Sequence, residues 1–161
     1  MRQGIEILIV DDDKALLGVL RSVLEAEGHG VEAVPSAYEA LPRLEQRRYD
    51  LVLVDLKMRR MNGMELLEHE RLRERGTRMV IMTAYPTVES AVQAMRQGAF
   101  DYLVKPFKLT ELRAIVERAA RERVKVEPEE SAGAVSQGTE ESLAQSQGAG
   151  SDGQGAKEGD R

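Results

Sequence analysis

Several residue types are absent or scarce in this sequence, and each absence narrows the class of protein. There is no cysteine and no tryptophan, and aromatic residues make up only 4% of the 161 positions. Without cysteine there is no disulfide scaffold, no thiolate metal site and no cysteine nucleophile. The apolar runs, such as Ile7–Val10, are far too short to span a bilayer. We therefore expect a cytoplasmic protein with no membrane segment and a mainly aliphatic core.

Charge is unevenly distributed along the chain. The net charge is −5, from 23 basic and 28 acidic residues, yet residues 124–161 alone hold three basic and eight acidic ones. The preceding 123 residues are therefore balanced in charge. Because they have no excess of positive charge with which to bind a phosphate backbone, we expect no direct nucleic-acid binding.

Five short apolar runs alternate with five stretches of helical periodicity. Apolar runs of this kind are typical of buried parallel strands. They predict strands at Ile5–Val10, Val31–Val34, Leu51–Val54, Met79–Met82 and Tyr102–Val104, and helices at Lys14–Glu27, 37–46, Met64–Glu74, Thr87–Gln97 and Thr110–Arg123. Five such units favour an α/β fold of the flavodoxin-like, doubly wound type. Its five-stranded parallel sheet has the order 2-1-3-4-5, with helices on both faces.

Polar residues and glycines mark where these helices begin and end. Asp13, Ser36 and Thr110 each stand where a side-chain oxygen can cap a helix. Gly28 and Gly76 each follow a helical stretch, as glycine commonly does at a helix end. These signals support the predicted boundaries.

The composition changes after Arg123. Residues 124–161 include no aromatic residue and contain seven of the 14 glycines, with many Ser, Gln and Glu. Such a stretch buries too little apolar area to offset the entropy of ordering. We predict a folded domain over residues 1–123 and a disordered acidic tail over residues 124–161.

Acidic, hydroxyl and amino groups stand at the carboxyl ends of four predicted strands. In chain order they are Asp11-Asp12-Asp13, Asp55, Thr83 and Lys105. Because these strand ends share one edge of the sheet, we expect their side chains to line one pocket. Neighbouring carboxylates repel one another, and a divalent cation with oxygen ligands, typically Mg²⁺, offsets that repulsion.

The lone aspartate at the end of the third strand suggests phosphoryl chemistry. A carboxylate such as Asp55 can attack phosphorus and form an aspartyl phosphate. Mg²⁺ and Lys105 would neutralise charge on the transferring group, and Thr83 could donate a hydrogen bond to it. A single strand-end Asp is often only a helix cap, as we expect for Asp13. The joint pattern over four strand ends favours the functional interpretation.

At this point the sequence resembles the receiver domain of two-component response regulators, over about residues 4–123. The resemblance is carried by four stretches: Ile7–Asp13, Asp55–Met58 with Asn62-Gly63, Ile81–Ala84, and Gly98–Phe107. Thr83 and the last stretch are most similar to receivers of the nitrogen-regulation type of transcriptional regulator.

The resemblance implies a role for each residue of the pocket. Asp55 would be the phosphoacceptor, and Lys105 would pair with the phosphoryl group. Asp11, Asp12 and Asp55, with the backbone carbonyl of Lys57, would bind Mg²⁺.

It also implies roles in switching and in the rate of dephosphorylation. Thr83 and Tyr102 would be the switch pair, with Tyr102 changing rotamer when Thr83 moves. The peptide bond from Lys105 to Pro106 would be cis, which is credible chiefly before proline. The side chains of Lys57 and Tyr85 would tune the rate of dephosphorylation.

One position departs from the family pattern. Arg59 stands where receivers usually have proline, and Arg60 follows it. The loop loses a fixed φ angle and gains two charges near the site, which affects the expected lifetime of the phosphoryl group. Two interpretations stay open: a solvated loop, or a contact with a partner kinase.

The function that follows is a phosphorylation-dependent signalling switch and not an enzyme. A sensor histidine kinase or phosphotransfer protein would supply the phosphoryl group. A downstream protein, or a second copy in a phosphorylation-dependent dimer, would bind the face made by the fourth helix, fifth strand and last helix. The chain would be a stand-alone receiver or a fragment without its effector domain.

Two other functions stay open on the sequence alone. Asp11-Asp12-Asp13 has the D-x-D spacing of a haloacid-dehalogenase-type Mg²⁺ phosphohydrolase, but the glycine expected soon after it is missing. The fold could also serve as a protein-binding module that is never phosphorylated.

Overall fold

A computed structural model of the chain describes residues 4–69 and 75–126, and within them strands alternate with helices. In chain order the elements are β1 (Glu6–Val10), α1 (Lys14–Ala26), β2 (Gly30–Val34), α2 (Ala37–Gln46), β3 (Leu51–Asp55), α3 (Gly63–Leu67), β4 (Arg78–Thr83), α4 (Val88–Arg96), β5 (Asp101–Val104) and α5 (Leu109–Val126).

The strands form one parallel sheet in the order β2-β1-β3-β4-β5. This confirms the predicted flavodoxin-like topology. The register pairs Val10 with Val54, Asp55 with Met82, and Thr83 with Val104. The carboxyl ends of β1, β3, β4 and β5 therefore lie at one end of the sheet, as the candidate pocket requires.

Successive strand residues point to opposite faces of the sheet, and helices pack on both faces. In β1, Leu8 and Val10 belong to an apolar cluster with residues of α2, α3 and α4. Ile7 and Ile9 belong to a second cluster with residues of α1 and α5. Burial on both faces explains why the strands read as continuous apolar runs.

The predicted helix signals at the first two helices are confirmed. The side chain of Asp13 accepts a hydrogen bond from the Leu16 amide (3.1 Å), and that of Ser36 accepts one from the Glu39 amide (3.2 Å). Beyond α1, Gly28 has a φ of +96°, which an L side chain rarely adopts.

Most predicted bounds lie within one residue of the observed ones, but those of the third and the last helix differ further. The third helix was predicted over Met64–Glu74, but α3 begins at Gly63 and ends at Leu67. It begins earlier because Asn62 caps it, in a reciprocal capping box with Glu65. The helix does not continue through Glu68 and His69, and residues 70–74 of the predicted helix lie outside the described residues.

Both ends of α5 also differ, since the helix continues past the predicted end at Arg123 to Val126. The helix begins at Leu109, so Thr110 lies in its first turn instead of capping it. The first turn closes on Lys108, whose amide donates to Glu111 Oε1 (2.9 Å) and whose carbonyl accepts from the Glu111 amide (3.0 Å).

The predicted tail, residues 124–161, lies almost entirely outside the described residues, which end with α5 at Val126. The division into a domain and a disordered tail therefore stays a prediction. None of the helices in the described part of the chain is long and apolar enough to cross a membrane.

Candidate functional site

Three carboxylates meet at the carboxyl end of the sheet and form what we call the acidic pocket: Asp11, Asp12 and Asp55. One oxygen from each lies within 4.8 Å of the others. Asp11 and Asp12 directly follow β1, and Asp55 ends the neighbouring β3. Asp11 and Asp55 are buried while Asp12 is exposed. The pocket thus has two acids in its wall and one at its mouth.

Asp11 is fixed in place by the local backbone. Its amide donates to the Val34 carbonyl (3.2 Å), which continues the pairing of β1 with β2. Its Oδ1 accepts from the Asp13 amide (2.9 Å), which leaves Oδ2 directed to Lys105. The turn after β1 therefore orients a carboxylate and, through Asp13, also starts α1.

Lys105 supplies the ammonium group of the pocket. Its amide donates to the Thr83 carbonyl (2.8 Å), which holds the segment after β5 beside the end of β4. The peptide bond to Pro106 is cis, as the resemblance implied. The Nζ atom lies 2.5 Å from Asp11 Oδ2 and 3.4 Å from Asp55 Oδ1.

One ammonium does not balance three carboxylates, and the pKa values reflect this. Burial and the nearby charge of Asp11 raise the pKa of Asp55 from 3.8 to about 6, although Lys105 opposes the rise. Burial alone would lower the pKa of Lys105, but hydrogen bonding and attraction to Asp11, together with the charge of Asp55, raise it instead. The lysine is therefore a fixed positive charge, and the pocket still has excess negative charge.

This composition fits a hard divalent cation. Such ions prefer oxygen ligands, and the acidic pocket offers carboxylate oxygens that repel one another until a cation is bound. Mg²⁺ keeps several waters and leaves room for a phosphate oxygen, which suits a pocket with few protein ligands.

Thr83 has a separate set of contacts on the β4 side of the pocket. Its side chain is fully buried, and its Oγ1 accepts a hydrogen bond from the Tyr85 amide (3.0 Å). Tyr85 is 67% exposed, and Lys57 Nζ lies 4.9 Å from the centroid of its ring. The Lys57 ammonium therefore lies over the ring of Tyr85, the other residue of the predicted tuning pair.

Tyr102 lies on β5 and reaches across to α4. Its hydroxyl is 2.6 Å from Ser90 Oγ. Ser90 was missed by the sequence analysis. The Thr87-x-x-Ser90 spacing could have marked it as part of a helix cap, but only the tertiary structure brings it to Tyr102.

The loop between β3 and α3 is closed at its base by a backbone hydrogen bond from Gly63 to the Leu56 carbonyl (3.0 Å). A Cβ on Gly63 would lie 2.7 Å from the Asp55 carbonyl oxygen, so this position excludes larger residues. Within the loop, the Arg60 guanidinium lies 5.9 Å from the Tyr38 ring centroid. The Asn62-Gly63 motif alone does not indicate this close approach to Asp55.

The structure therefore brings Asp11, Asp12, Asp55 and Lys105 together at one end of the sheet. Thr83 and Tyr102 lie on the adjacent strands with partners of their own. The roles of all six residues, and of the Lys57 carbonyl, remain predictions.

Comparison with protein families gives a match over most of the described chain. The model described as "Response regulator receiver domain" matches residues 7–117. The response regulator protein FleR of Pseudomonas aeruginosa is 46% identical over 116 residues, which are 72% of this chain and 24% of FleR. The chain spans about a quarter of the length of the curated relatives it matches.

Solved structures agree with this match. A CheY-like receiver domain protein from Methanospirillum hungatei superposes with a TM-score of 0.71 at 35% identity, covering 76% of this chain and 98% of that one. A response regulator from Burkholderia pseudomallei gives 0.64 at 28% identity, covering 75% of this chain and 71% of that one. It is described as having a phosphorylated aspartic acid, a calcium ion and citrate.

Proposed function

We propose a function from one premise: the chain belongs to the response regulator receiver domain family, whose members are phosphorylation-dependent switches of two-component signalling and not enzymes in the usual sense. In this proposal, Asp55 is the residue that accepts the phosphoryl group. One observation carries the proposal: the buried Asp55 carboxylate lies beside two other acids and 3.4 Å from the Lys105 ammonium. Family membership favours this function over the phosphohydrolase and the unphosphorylated binding module.

Mg²⁺ would be held by Asp11, Asp12 and Asp55 together with the Lys57 backbone carbonyl. When bound, it would neutralise negative charge on the phosphoryl oxygens. The support is the cluster of carboxylate oxygens within 4.8 Å, together with the burial and the neighbouring charge of Asp11 that raise the pKa of Asp55. The aspartyl phosphate and calcium ion of the Burkholderia protein are consistent with it.

The transfer itself is a displacement at phosphorus. A carboxylate oxygen of Asp55 attacks the phosphorus of a phosphohistidine, the new P–O bond forms, and the P–N bond breaks. The bond electrons leave with the imidazole, which takes up a proton. Lys105 moves from Asp55 towards the new phosphoryl oxygens and stabilises their charge.

The switch follows from the new acceptor oxygens. Thr83 would donate a hydrogen bond to one of them, and Tyr102 would change rotamer as the loop from Thr83 moves. Phosphorylation then changes a surface through a packing element with two arrangements.

The surface in question contains α4, β5 and the start of α5. Several large apolar side chains there are exposed: Val88, Val92, Met95, Val104 and Leu109. Exposed apolar residues gathered on neighbouring elements are typical of protein–protein contact sites. We propose that a downstream protein, or a second copy of the chain, binds here when Asp55 is phosphorylated.

The phosphoryl donor would be a sensor histidine kinase or a phosphotransfer protein, and we place the exchange in the cytoplasm. Arg59 and Arg60, on the loop beside the pocket, are candidates for contacting that donor. The chain would act as a stand-alone receiver or within a longer regulator. The proposal for the phosphoacceptor site is the same in both cases, and only the downstream response differs.

Phosphate-affinity electrophoresis tests the proposal. We expect acetyl phosphate with Mg²⁺ to shift the wild-type chain, and chelation of the metal to abolish the shift. Asp55→Asn should show no shift. Asp13→Ser, which removes a neighbouring carboxylate but keeps a cap for α1, should shift like the wild type. An equal shift in Asp55→Asn would overturn the assignment.

A further inference from the structure

We propose that Ser90 is a positioning residue of the switch, whose hydroxyl holds Tyr102 in the unphosphorylated arrangement and links it to the first turn of α4. The inference rests on the proposed function, because it concerns how the change at Asp55 reaches the surface. It starts from one contact, the 2.6 Å distance between Ser90 Oγ and the Tyr102 hydroxyl.

The hydrogen-bonding capacity of Ser90 assigns the donor in that contact. A serine hydroxyl donates once and accepts twice. Ser90 Oγ donates to the Thr87 carbonyl (3.2 Å) and accepts from the Thr87 amide (3.3 Å). The remaining lone pair therefore accepts from Tyr102, whose O–H is the donor. All three positions of the serine hydroxyl are then used.

The same serine is part of the helix cap. Thr87 caps α4, and its Oγ1 accepts a hydrogen bond from the Ser90 amide (3.0 Å). The cap needs only Thr87 and Ser90, so the bond to Tyr102 is an additional contact that joins the helix start to β5. Tyr102 also packs partly buried against the apolar cluster on the α4 side of the sheet.

A short stretch of chain connects this cap to the pocket. Thr83 Oγ1 accepts from the Tyr85 amide, and Thr87 follows two residues later. Thr83 thus holds one end of the loop between β4 and α4, while Ser90 and Thr87 hold the other. When Thr83 turns to a phosphoryl oxygen, the loop changes at its first end. The Ser90–Tyr102 hydrogen bond then opposes a matching movement at the second end of the loop, where α4 begins.

The energetic consequence is a bias on the switching equilibrium. An interaction present only in the unphosphorylated arrangement opposes any ligand that favours the other arrangement. A typical hydrogen bond of this kind changes such an equilibrium about two- to tenfold. Removing the Ser90 hydroxyl should therefore make the chain easier to switch, without changing any group in the acidic pocket.

The test uses the 161-residue chain labelled with 3-fluorotyrosine and titrated with beryllofluoride in the presence of Mg²⁺. The chain has four tyrosines, so fluorine NMR can follow Tyr102 once Tyr102→Phe identifies its resonance. We expect Ser90→Ala to shift the Tyr102 resonance before beryllofluoride is added. It should also lower the half-saturating concentration about two- to tenfold.

Two variants separate the hydroxyl contact from the helix cap. Thr87→Ala removes a cap acceptor but leaves the Ser90 hydroxyl, and should titrate within about twofold of the wild type. Ser90→Thr keeps a hydroxyl and should restore wild-type behaviour. An unchanged Ser90→Ala titration, or an equal change in Thr87→Ala, would overturn the role of Ser90. A wild type that fails to respond would instead overturn the proposed function, and this inference with it.

Discussion

Two buried aspartates at opposite ends of β3 have opposite surroundings. Asp50, just before the strand, accepts hydrogen bonds from the Glu6 amide (2.8 Å) and Arg48 (3.0 Å), and Arg123 Nε lies 3.3 Å away. Asp55, at the end of the strand, lies among other acids and has one ammonium at 3.4 Å. Both side chains are at most 10% exposed.

The difference separates a structural carboxylate from the one that we propose to be reactive. Donors surround Asp50, so its charge is compensated where it lies and it joins β1, β3 and α5. Asp55 has too few hydrogen-bond donors and positive charges around it, so its ionised form is unfavourable. A bound cation would compensate that charge, and phosphorylation would change it. Burial alone would not distinguish the two residues, but the sign of the neighbouring charges does.

The largest expected effect comes from matched substitutions at these two positions. Asp50→Asn should lower the free energy of unfolding by about 1–3 kcal/mol, because it removes the buried negative charge that accepts from the Glu6 amide and from Arg48. Asp55→Asn should not lower it, and without metal should raise it, since it removes repulsion. Urea denaturation followed by circular dichroism measures both. Equal losses at the two positions would contradict the comparison.

The pH dependence of stability should sharpen the contrast. The pKa of Asp55 is raised from 3.8 to about 6, so between about pH 4 and pH 6 the native state binds a proton that the unfolded state has released. Stability from this group is therefore fully present below pH 4 and lost as the pH rises through 6. Its size is about 1–3 kcal/mol.

The measurement is a set of denaturation curves between pH 4 and pH 7 in the presence of a chelator. The relevant quantity is the difference between the wild type and Asp55→Asn, since other carboxylates cancel in it. As the pH rises, the free energy of unfolding of the wild type should fall relative to that of Asp55→Asn. A difference that is constant with pH would mean that Asp55 has an ordinary pKa.

Divalent ions should have a somewhat smaller effect, confined to one end of the strand. At neutral pH, Mg²⁺ at ten times its Kd should stabilise the wild type by about 1.4 kcal/mol. Asp55→Asn should lose most of this gain, whereas Asp50→Asn should keep it. Thermal unfolding with and without Mg²⁺ tests this, and a gain that survives in Asp55→Asn would contradict it.

The effect that bears least on the comparison lies near Asp50 and appears only at high pH. Burial and a hydrogen bond to Glu32 raise the pKa of Tyr49 to about 12. Ultraviolet titration should show one tyrosine ionising near pH 12, absent in Tyr49→Phe and displaced to lower pH in Glu32→Gln. The stability from this group is present below pH 10 and is lost as the pH rises through 12. A normal titration of Tyr49 would mean that its hydroxyl is exposed to solvent and is not bonded to Glu32.

The parts of the fold that the sequence predicted are those set by local patterns. Runs such as Leu51–Val54 indicated buried parallel strands, and Asp13 and Ser36 indicated helix starts. The acidic pocket could be predicted for a similar reason. Parallel strands bring their carboxyl ends together independently of the helices between them.

The remaining features depend on contacts between distant parts of the chain. Nothing local shows that a Cβ on Gly63 would meet the Asp55 carbonyl, or that Asp50 receives the Glu6 amide. Ser90 reads as an ordinary cap residue until β5 places Tyr102 against it. The helix α3 starts early because Asn62 caps it. The Asn62-x-x-Glu65 spacing in the sequence is compatible with such a capping box.

Chemical mapping of the phosphoryl group tests the central claim most directly. The chain is incubated with acetyl phosphate and Mg²⁺, treated with borohydride, which reduces an aspartyl phosphate to homoserine, and digested for mass spectrometry. We predict homoserine at position 55 and nowhere else, and only when Mg²⁺ is present. Homoserine at position 11 or 12, or an unmodified Asp55, would contradict the account.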